Sequence, residues 1–360
     1  MSDHIFDNPN LRFKDYIPSG KTTWQSPSNI ALVKYWGKKP VQIPMNPSIS
    51  FTLKNSYTET TVEYKPAENG FDLQFFFEGK RNETFEDKTK KFFKNIISVF
   101  PFINQLTFTI RSKNSFPHSA GIASSASGMS ALALALCDIE NTHFNTLKAD
   151  NDFFKKASYV ARLGSGSASR SVYGGLTVWG KSEFIPGSSN LYAVAVTDYV
   201  HPDFLQYRDT ILLVDSSEKK VSSRAGHALM KTNIFAKVRF EQAKQNLKRL
   251  MDIMKAGDRQ AFVKQVESEA LTLHAMMMTS TPYYLLIKPN TLQIINKIFE
   301  FRNDTKIPVC FTLDAGPNVH LLYGRYDEEA VNRFISLEIK PFLSKKGVIQ
   351  DYVGKGPEKK

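Results

Sequence analysis

The chain has 360 residues, of which 42% are hydrophobic and 12% aromatic, enough to bury a sizeable core in two domains or one large one. Lysine and arginine exceed aspartate and glutamate by 47 to 35, and the resulting +12 charge favours polyanions, anionic membrane surfaces or phosphorylated small molecules as partners. The longest apolar run, Ala131 to Cys137, is far short of the ~20 residues that cross a bilayer, and the polar start carries no leader pattern, so a soluble cytoplasmic protein is expected.

From Trp24 to about Ile110 the pattern predicts strands: "NIALVKYW", "SISFTL", "TETTVEYK", "FDLQFFFEG" and "QLTFTIRS" are short, β-branched or aromatic, and separated by turn residues. One helix is expected among them, near Lys88 to Val99. "ASGMSALALALCDIE" is apolar on nearly every side and predicts a helix buried between layers. In "NDFFKKASYVARLG", Phe153, Ala157 and Val160 recur at helical spacing, and Gly164 ends the run. Two further strands, "GGLTVWG" and "LYAVAVTD", precede a change of character near Val200 to Ile211.

Beyond that point long helices dominate. Phe240, Ala243, Leu247, Leu250 and Met254 form one apolar stripe, and Phe262, Val266, Ala270, Leu273 and Met277 form another. A third helix, "TLQIINKIFEFRN", is followed by the strands "KIPVCFTL" and "VHLLYG" and a final helix, "DEEAVNRFISLEI". That order predicts an α+β fold whose C-terminal part holds an antiparallel sheet. The tail, residues 351–360, has the composition of a disordered segment. Cys137 and Cys310 sit in apolar contexts and read as buried free thiols of a reducing compartment.

Four stretches could carry chemistry. In "FPHSAGIASSASGMSALALAL" (Phe116 to Leu136) small and hydroxyl residues run into the buried helix, where free N–H groups suit phosphate and Ser124 or Ser125 could hold Mg²⁺. In "ARLGSGSASRSVYGG" (Ala161 to Gly175) Ser165 or Ser167 can cap a helical turn, and Arg170 offers a fork that matches a carboxylate or phosphate. "VCFTLDAGPNVHLLYG" (Val309 to Gly324) sets Asp314 at a strand end, suited to act as base or to orient a hydroxyl. "KKVSSRAGHALMKT" adds Ser222 and Ser223 before a helix. Each also has an ordinary reading, as a helix cap, a surface arginine or a turn-forming aspartate.

Their order is more specific than any one of them. "SNIALVKYWGKK", "NPSISFTL", "FPHSAGIASSASG", "ARLGSGSASRS", "VSSRAGH" and "TLDAGPN" are collinear from about Trp24 to Asp327, and together they resemble the diphosphomevalonate decarboxylase family of the GHMP kinase superfamily. The resemblance implies a ribosomal S5 domain 2-like N-terminal domain that binds ATP, residues 21–203, after an extension over 1–20. It implies a ferredoxin-like C-terminal domain, 204–350, with the active site in the cleft between the two.

The reaction implied converts ATP and (R)-5-diphosphomevalonate to isopentenyl diphosphate, CO₂, ADP and phosphate. Carried over by position, Asp314 contacts or deprotonates the 3-hydroxyl, Arg170 holds the substrate carboxylate, and Lys34 lies near the hydroxyl and the transferring phosphoryl group. Tyr35, Lys38, Ser165 and Ser167 bind the diphosphate end, with Ser222 and Ser223 also on the substrate. Ser119, Gly121, Ala123, Ser124 and Ser125 form the ATP loop, with Mg²⁺ held by Ser125 and the ATP phosphates, and His274 stands near the site.

The partners expected are therefore ATP, Mg²⁺ and a phosphorylated mevalonate, with no nucleic acid and no membrane; a homodimer is possible, since dimers are common among relatives. The sequence departs from the family pattern at Pro47, His118, Ser119 and Ser169. Two rivals remain at this point: a relative acting on mevalonate 5-phosphate or mevalonate, as decarboxylase or 3-kinase, and a non-enzymatic binding protein using the basic helix after Lys219.

Overall fold

The computed structural model describes residues 4–68, 70–117, 122–215 and 223–360; the side chains of residues 223 and 224 also lie outside it. The first strand, β1 (Gly20–Val33), alternates between buried and less buried residues along its first half and is buried throughout its second. One face meets a core at the start of the strand, and both faces do at its end. A short hairpin of β2 (Lys38–Lys39) and β3 (Ile43–Pro44) leads into β4 (Ser48–Pro66), β5 (Asp72–Phe77), β6 (Lys80–Arg81), α1 (Glu83–Asn95) and β7 (Leu106–Asn114). Then come α2 (Ser124–Phe144), α3 (Asp150–Gly164), β8 (Leu176–Trp179) and β9 (Ala193–Ala195). The second half runs β10 (Arg208–Leu212), α4 (Ser223–Leu229), α5 (Ala236–Ala256), α6 (Arg259–Met278), α7 (Pro289–Thr305), β11 (Cys310–Leu313), β12 (Val319–Tyr323), α8 (Glu328–Phe334), β13 (Val348–Tyr352) and β14 (Glu358–Lys359).

The larger sheet runs β14-β1-β4-β7-β5-β6, with β8 on β4 and β9 on β8. Its core joins Val62, Phe108 and Ile110 of the strands to Phe93, Leu136 and Val160 of the helices, and α2 is buried on nearly every side, as its composition predicts. The smaller sheet runs β11-β12-β10-β13, all antiparallel, in βαββαβ order. Its residues alternate between two cores. Ile211 and Leu322 face a cluster shared with Leu32 and Phe51 of the larger sheet, while Leu212 and Leu321 face α7 and α8. The two halves therefore meet through continuous apolar packing, which fixes the end of β1 against α5 and α6. Among the described residues no helix is long and apolar enough to cross a membrane.

The structure differs from the sequence expectations in several places; "NIALVKYW" is strand only to Val33 and "KIPVCFTL" only from Cys310. "SISFTL" and "TETTVEYK" are one strand, β4, interrupted by a shift of register between the Pro27–Tyr57 and Asn29–Thr52 pairs. The Asp351 carboxylate accepts the N–H groups of Lys54, Asn55 and Ser56 inside that bulge, replacing the ladder bonds lost there. The first helix begins at Glu83, not near Lys88, because the Asn82 side chain caps it by accepting from the Phe85 N–H. Only Ala193–Ala195 of "LYAVAVTD" is strand.

The tail, expected to be disordered, is ordered. β14 pairs with β1 (Trp24 with Lys359, Gln25 with Glu358), and Lys359 reaches Asp138 at 2.7 Å. This is a long-range ladder that tail composition does not reveal. Deleting residues 357–360 should cost about 1–2 kcal/mol, a fall of a few degrees in Tm, because the β14–β1 ladder is lost while the half-exposed Lys359 side chain contributes little. A thermal scan of the truncated protein checks this; an unchanged Tm would mean the tail adds no stability.

Candidate active site

The end of β1 delivers Lys34 into the space between the halves. Its backbone is clamped on both sides: the N–H donates to Glu269 Oε2 of α6 at 2.9 Å, and the carbonyl accepts from Asn46 Nδ2 at 3.0 Å. Its ammonium is 2% exposed, has no hydrogen-bond partner among the described residues, and stands 4.0 Å from Asp314 Oδ1. Burial takes this lysine down to about 8, opposed by Asp314 and Glu269 and assisted by Arg170. A buried cation without a hydrogen-bonded counter-ion is costly to maintain, and such groups concentrate where an anionic ligand completes them.

Arg170 lies in a short 3-10 segment, Gly166–Val172, that follows α3. Its guanidinium is buried and, among the described residues, is held only by neutral oxygens: Nη1 donates to Ser48 Oγ at 2.6 Å, Nε to Ser50 Oγ at 3.1 Å, and Nη2 to Asn29 Oδ1 at 3.2 Å. Asn29 is itself fixed by donating to Ser171 Oγ at 2.7 Å. Burial lowers Arg170 to about 10, with Asp314 and Tyr35 opposing, and it stays charged at neutral pH. The fork is thus oriented without being neutralised.

Asp314 follows the last residue of β11, and its side chain keeps about a third of its surface, 32%, open. The turn is tied to α6, since His274 Nε2 lies 3.1 Å from the Asp314 carbonyl oxygen. Burial takes His274 down to about 4, with Asp314 raising and Lys34 lowering it, so the ring is neutral and its Nε2–H donates to that carbonyl. Lys34, Arg170 and Asp314 come from three separate stretches and converge on one place, the last near enough to raise both cations.

Tyr35 is buried with its hydroxyl unpartnered among the described residues, and burial raises its ionisation well above the ordinary phenol range. Its ring packs edge-on to Trp179 at 4.7 Å and against His227 at 4.3 Å. Gly166 makes that approach possible: a Cβ there would meet Trp179 at 2.7 Å and the Tyr35 hydroxyl at 3.0 Å. His227 of α4, not singled out from the sequence, sits between Tyr35 and Trp36 and accepts the Gly37 N–H at 3.0 Å; burial lowers it to about 3 and keeps it neutral. Trp36 packs with Met230, Phe240 and Met277, holding the loop in place.

Other sequence candidates fall around this centre. Lys38 is partly buried, with its ammonium on Gln42 Oε1 at 2.7 Å. Ser165 and Ser167 are partly exposed at the 3-10 segment, but Ser165 makes no side-chain cap. Ala123 takes a left-handed turn (φ 42°) just before α2, and Ser124 and Ser125 form the first turn of that helix, Ser125 exposed. Ser119, Gly121 and Ser222 lie outside the described residues, as does the side chain of Ser223, the first residue of α4. Sequence reasoning missed Asn29, Ser48, Ser50, Glu269 and His227.

No group of three or more histidine, cysteine or carboxylate side chains that could hold a metal exists among the described residues. The donor set at the start of α2 is instead a hydroxyl beside open helix N–H groups, which fits a cation that arrives already carried by phosphate oxygens.

Two family models match the chain: the diphosphomevalonate decarboxylase-like N-terminal domain over residues 26–191 and the mevalonate 5-diphosphate decarboxylase C-terminal domain over residues 210–358. The chain is 29% identical to the diphosphomevalonate decarboxylase of Candida albicans over 345 residues, covering 92% of this chain and 91% of that protein. It is 29% identical to that of Debaryomyces hansenii, covering 85% and 80%. Among solved structures, the mevalonate diphosphate decarboxylase of Staphylococcus aureus superposes with a TM-score of 0.81 at 28% identity, covering 95% of this chain and 98% of that one. A structure of MDDEF in complex with MVAPP, AMPPCP and magnesium superposes with a TM-score of 0.80 at 29% identity, covering 95% and 99%.

Proposed function

We infer, because the chain belongs to the diphosphomevalonate decarboxylase family, that it catalyses the ATP-dependent decarboxylation of (R)-5-diphosphomevalonate to isopentenyl diphosphate, CO₂, ADP and phosphate. The single observation that carries the reading is the convergence of a buried ammonium with no hydrogen-bond partner among the described residues, an oriented guanidinium and a partly open carboxylate: Lys34, Arg170 and Asp314. A substrate with a carboxylate and a diphosphate matches a site whose cations outnumber its free carboxylates. A related structure, of MDDEF, is a complex with MVAPP, AMPPCP and magnesium, which supports the same ligand classes here.

In the proposed mechanism the Asp314 carboxylate accepts the hydrogen bond of the tertiary 3-hydroxyl and takes its proton as the γ-phosphoryl group of ATP is transferred to that oxygen. The Lys34 ammonium neutralises charge on the oxygens between which the phosphoryl group passes. Ser125, at the start of α2, would hold Mg²⁺ together with the ATP phosphates, and the ion would supply further charge neutralisation. The C3–O bond then breaks with its electron pair leaving on phosphate. The C1–C2 bond breaks to release CO₂, and its electrons form the C2–C3 double bond. Arg170 holds the departing carboxylate in line through its fork. Tyr35, Lys38, Ser165 and Ser167 bind the diphosphate end. The same reading takes the cytoplasm as the enzyme's location, supported by two buried free thiols, Cys137 and Cys310.

Assaying mevalonate, its 5-phosphate and its 5-diphosphate with ATP and Mg²⁺ tests the reading. The diphosphate is expected to be turned over with by far the highest kcat/KM, and preference for either other substrate would overturn it. Lys34 gives the reaction a pH signature. Its protonated form attracts phosphate, so kcat/KM should hold below about 8 and fall above it, with the apparent pKa of the free enzyme near that value. A Lys34→Arg variant, charged throughout, should lose this alkaline limb whatever its absolute rate. A profile flat to about pH 9.5 in the wild type would remove Lys34 from the chemistry.

A further inference from the structure

Glu269 is the most completely enclosed acid near the site and belongs to none of the motifs described so far. It lies on α6 in the C-terminal half and is 0% exposed. Its carboxylate accepts four hydrogen bonds. Oε1 takes Arg239 Nη1 at 3.1 Å and Asn246 Nδ2 at 2.5 Å, while Oε2 takes Arg239 Nη2 at 2.6 Å and the Lys34 N–H at 2.9 Å. Arg239 and Asn246 are both on α5 and both buried. A rigid bidentate pair is thus built into the C-terminal helices, and the one remaining bond of its carboxylate reaches across to Lys34, the residue that follows β1.

We propose that Glu269, held by Arg239 and Asn246, is a positioning residue for Lys34. It anchors the lysine backbone across the boundary between the two halves and adds a fixed negative charge to the surroundings of the side chain, beside that of Asp314. The inference rests on the reading of Lys34 as a group that meets phosphate. The bond geometry accounts for the anchoring: β1 ends at Val33, so Lys34 has no strand partner for its N–H and finds Glu269 instead. The charge acts alongside others that face Lys34. Asp314 after β11 and Asp209 on β10 are negative, Arg170 of the 3-10 segment is positive and His274 of α6 is neutral, while Arg239 of α5 is bonded to the Glu269 carboxylate itself. Because Glu269 touches Lys34 directly and Arg239 lies behind it, the acid's effect is the nearer and larger.

Two substitutions give opposite signatures. Glu269→Gln keeps the shape of the side chain and an acceptor oxygen but removes its charge, leaving Arg239 unopposed, so Lys34 should lose its proton at lower pH, by about one unit. Arg239→Gln keeps a donor to the carboxylate and leaves that charge unopposed, so Lys34 should lose its proton at higher pH. Both are read by NMR titration of protein labelled with ¹³C at lysine Cε, with the Lys34 signal assigned by its loss in Lys34→Arg, and circular dichroism and Tm report folding separately. A purely structural pair would lower Tm in both variants and move the Lys34 titration in neither.

Shifts in opposite directions are the expected result, and a shift in one variant suffices if the other does not fold. An unmoved titration in a folded variant, or shifts in the same direction, would overturn the proposal. The alkaline limb of kcat/KM, measured on the same proteins, separates the two levels of inference. A Lys34 titration that moves while the limb stays fixed supports the positioning role and counts against Lys34 in the reaction.

Discussion

Replacing Asp314 by asparagine is expected to lower kcat by at least about a hundredfold while leaving the fold and the binding of both substrates in place. Asparagine matches the shape of the side chain and can still hydrogen-bond the 3-hydroxyl, but it cannot take the proton. The local structure should tolerate the change. The side chain is about a third exposed, and the tie from His274 goes to the Asp314 backbone carbonyl, which the substitution retains. Stability should therefore change by no more than about 0.5 kcal/mol. One further consequence separates this account from simple loss of a contact. Asp314 is the carboxylate that most raises Lys34, so the variant's residual activity should fall away at lower pH than that of the wild type. Near-normal turnover in the folded variant would remove Asp314 from its role.

Arg170→Lys is expected to be nearly as damaging, with kcat/KM down by about a hundredfold or more. The guanidinium satisfies Ser48, Ser50 and Asn29 from three directions and still presents charge to the cleft. An ammonium has neither the reach nor the planar fork for that. It leaves part of this buried acceptor set unpaired, which should cost about 1–3 kcal/mol of stability. Thermal unfolding and steady-state kinetics of the one variant separate the two contributions: a lowered Tm with unchanged kcat/KM would make Arg170 a structural residue only. Asn29→Asp offers a graded comparison. A carboxylate in that place would neutralise the fork without displacing it, and kcat/KM should drop although Arg170 remains.

How much of this was legible in the chain varies with the range of the interaction. Lys34 and Asp314 each stand where a strand ends, and Arg170 lies in the short 3-10 segment after α3, so each carries a local signal. Singly each had an ordinary explanation, and only the collinear series of motifs joined them. The residues that hold Arg170 left no such mark. Asn29, Ser48 and Ser50 are small polar residues within strand-like runs, and they meet the arginine only because β1 and β4 pair over the 3-10 segment.

Glu269 had a signal that went unused. It lies three residues after Val266 and four before Leu273, on the apolar stripe of α6, and an acid at such a position must have a buried partner. The tail failed for the opposite reason. "GKGPEKK" has the composition of a solvated end, and its ordering depends on a ladder to Trp24 and Gln25, more than three hundred residues away in sequence. Likewise the break in β4 is stabilised by Asp351, which no local pattern connects to Lys54–Ser56.

The central claim is that one site both transfers a phosphoryl group and releases a carboxylate. The measurement that tests it most directly follows ADP and CO₂ together over time in a single reaction of the wild-type protein with (R)-5-diphosphomevalonate, ATP and Mg²⁺. The account requires the two products to rise in equal amounts throughout, with isopentenyl diphosphate as the organic product. ADP formed without CO₂, leaving a 3-phosphorylated substrate in solution, would make the protein a kinase on this fold and contradict the account.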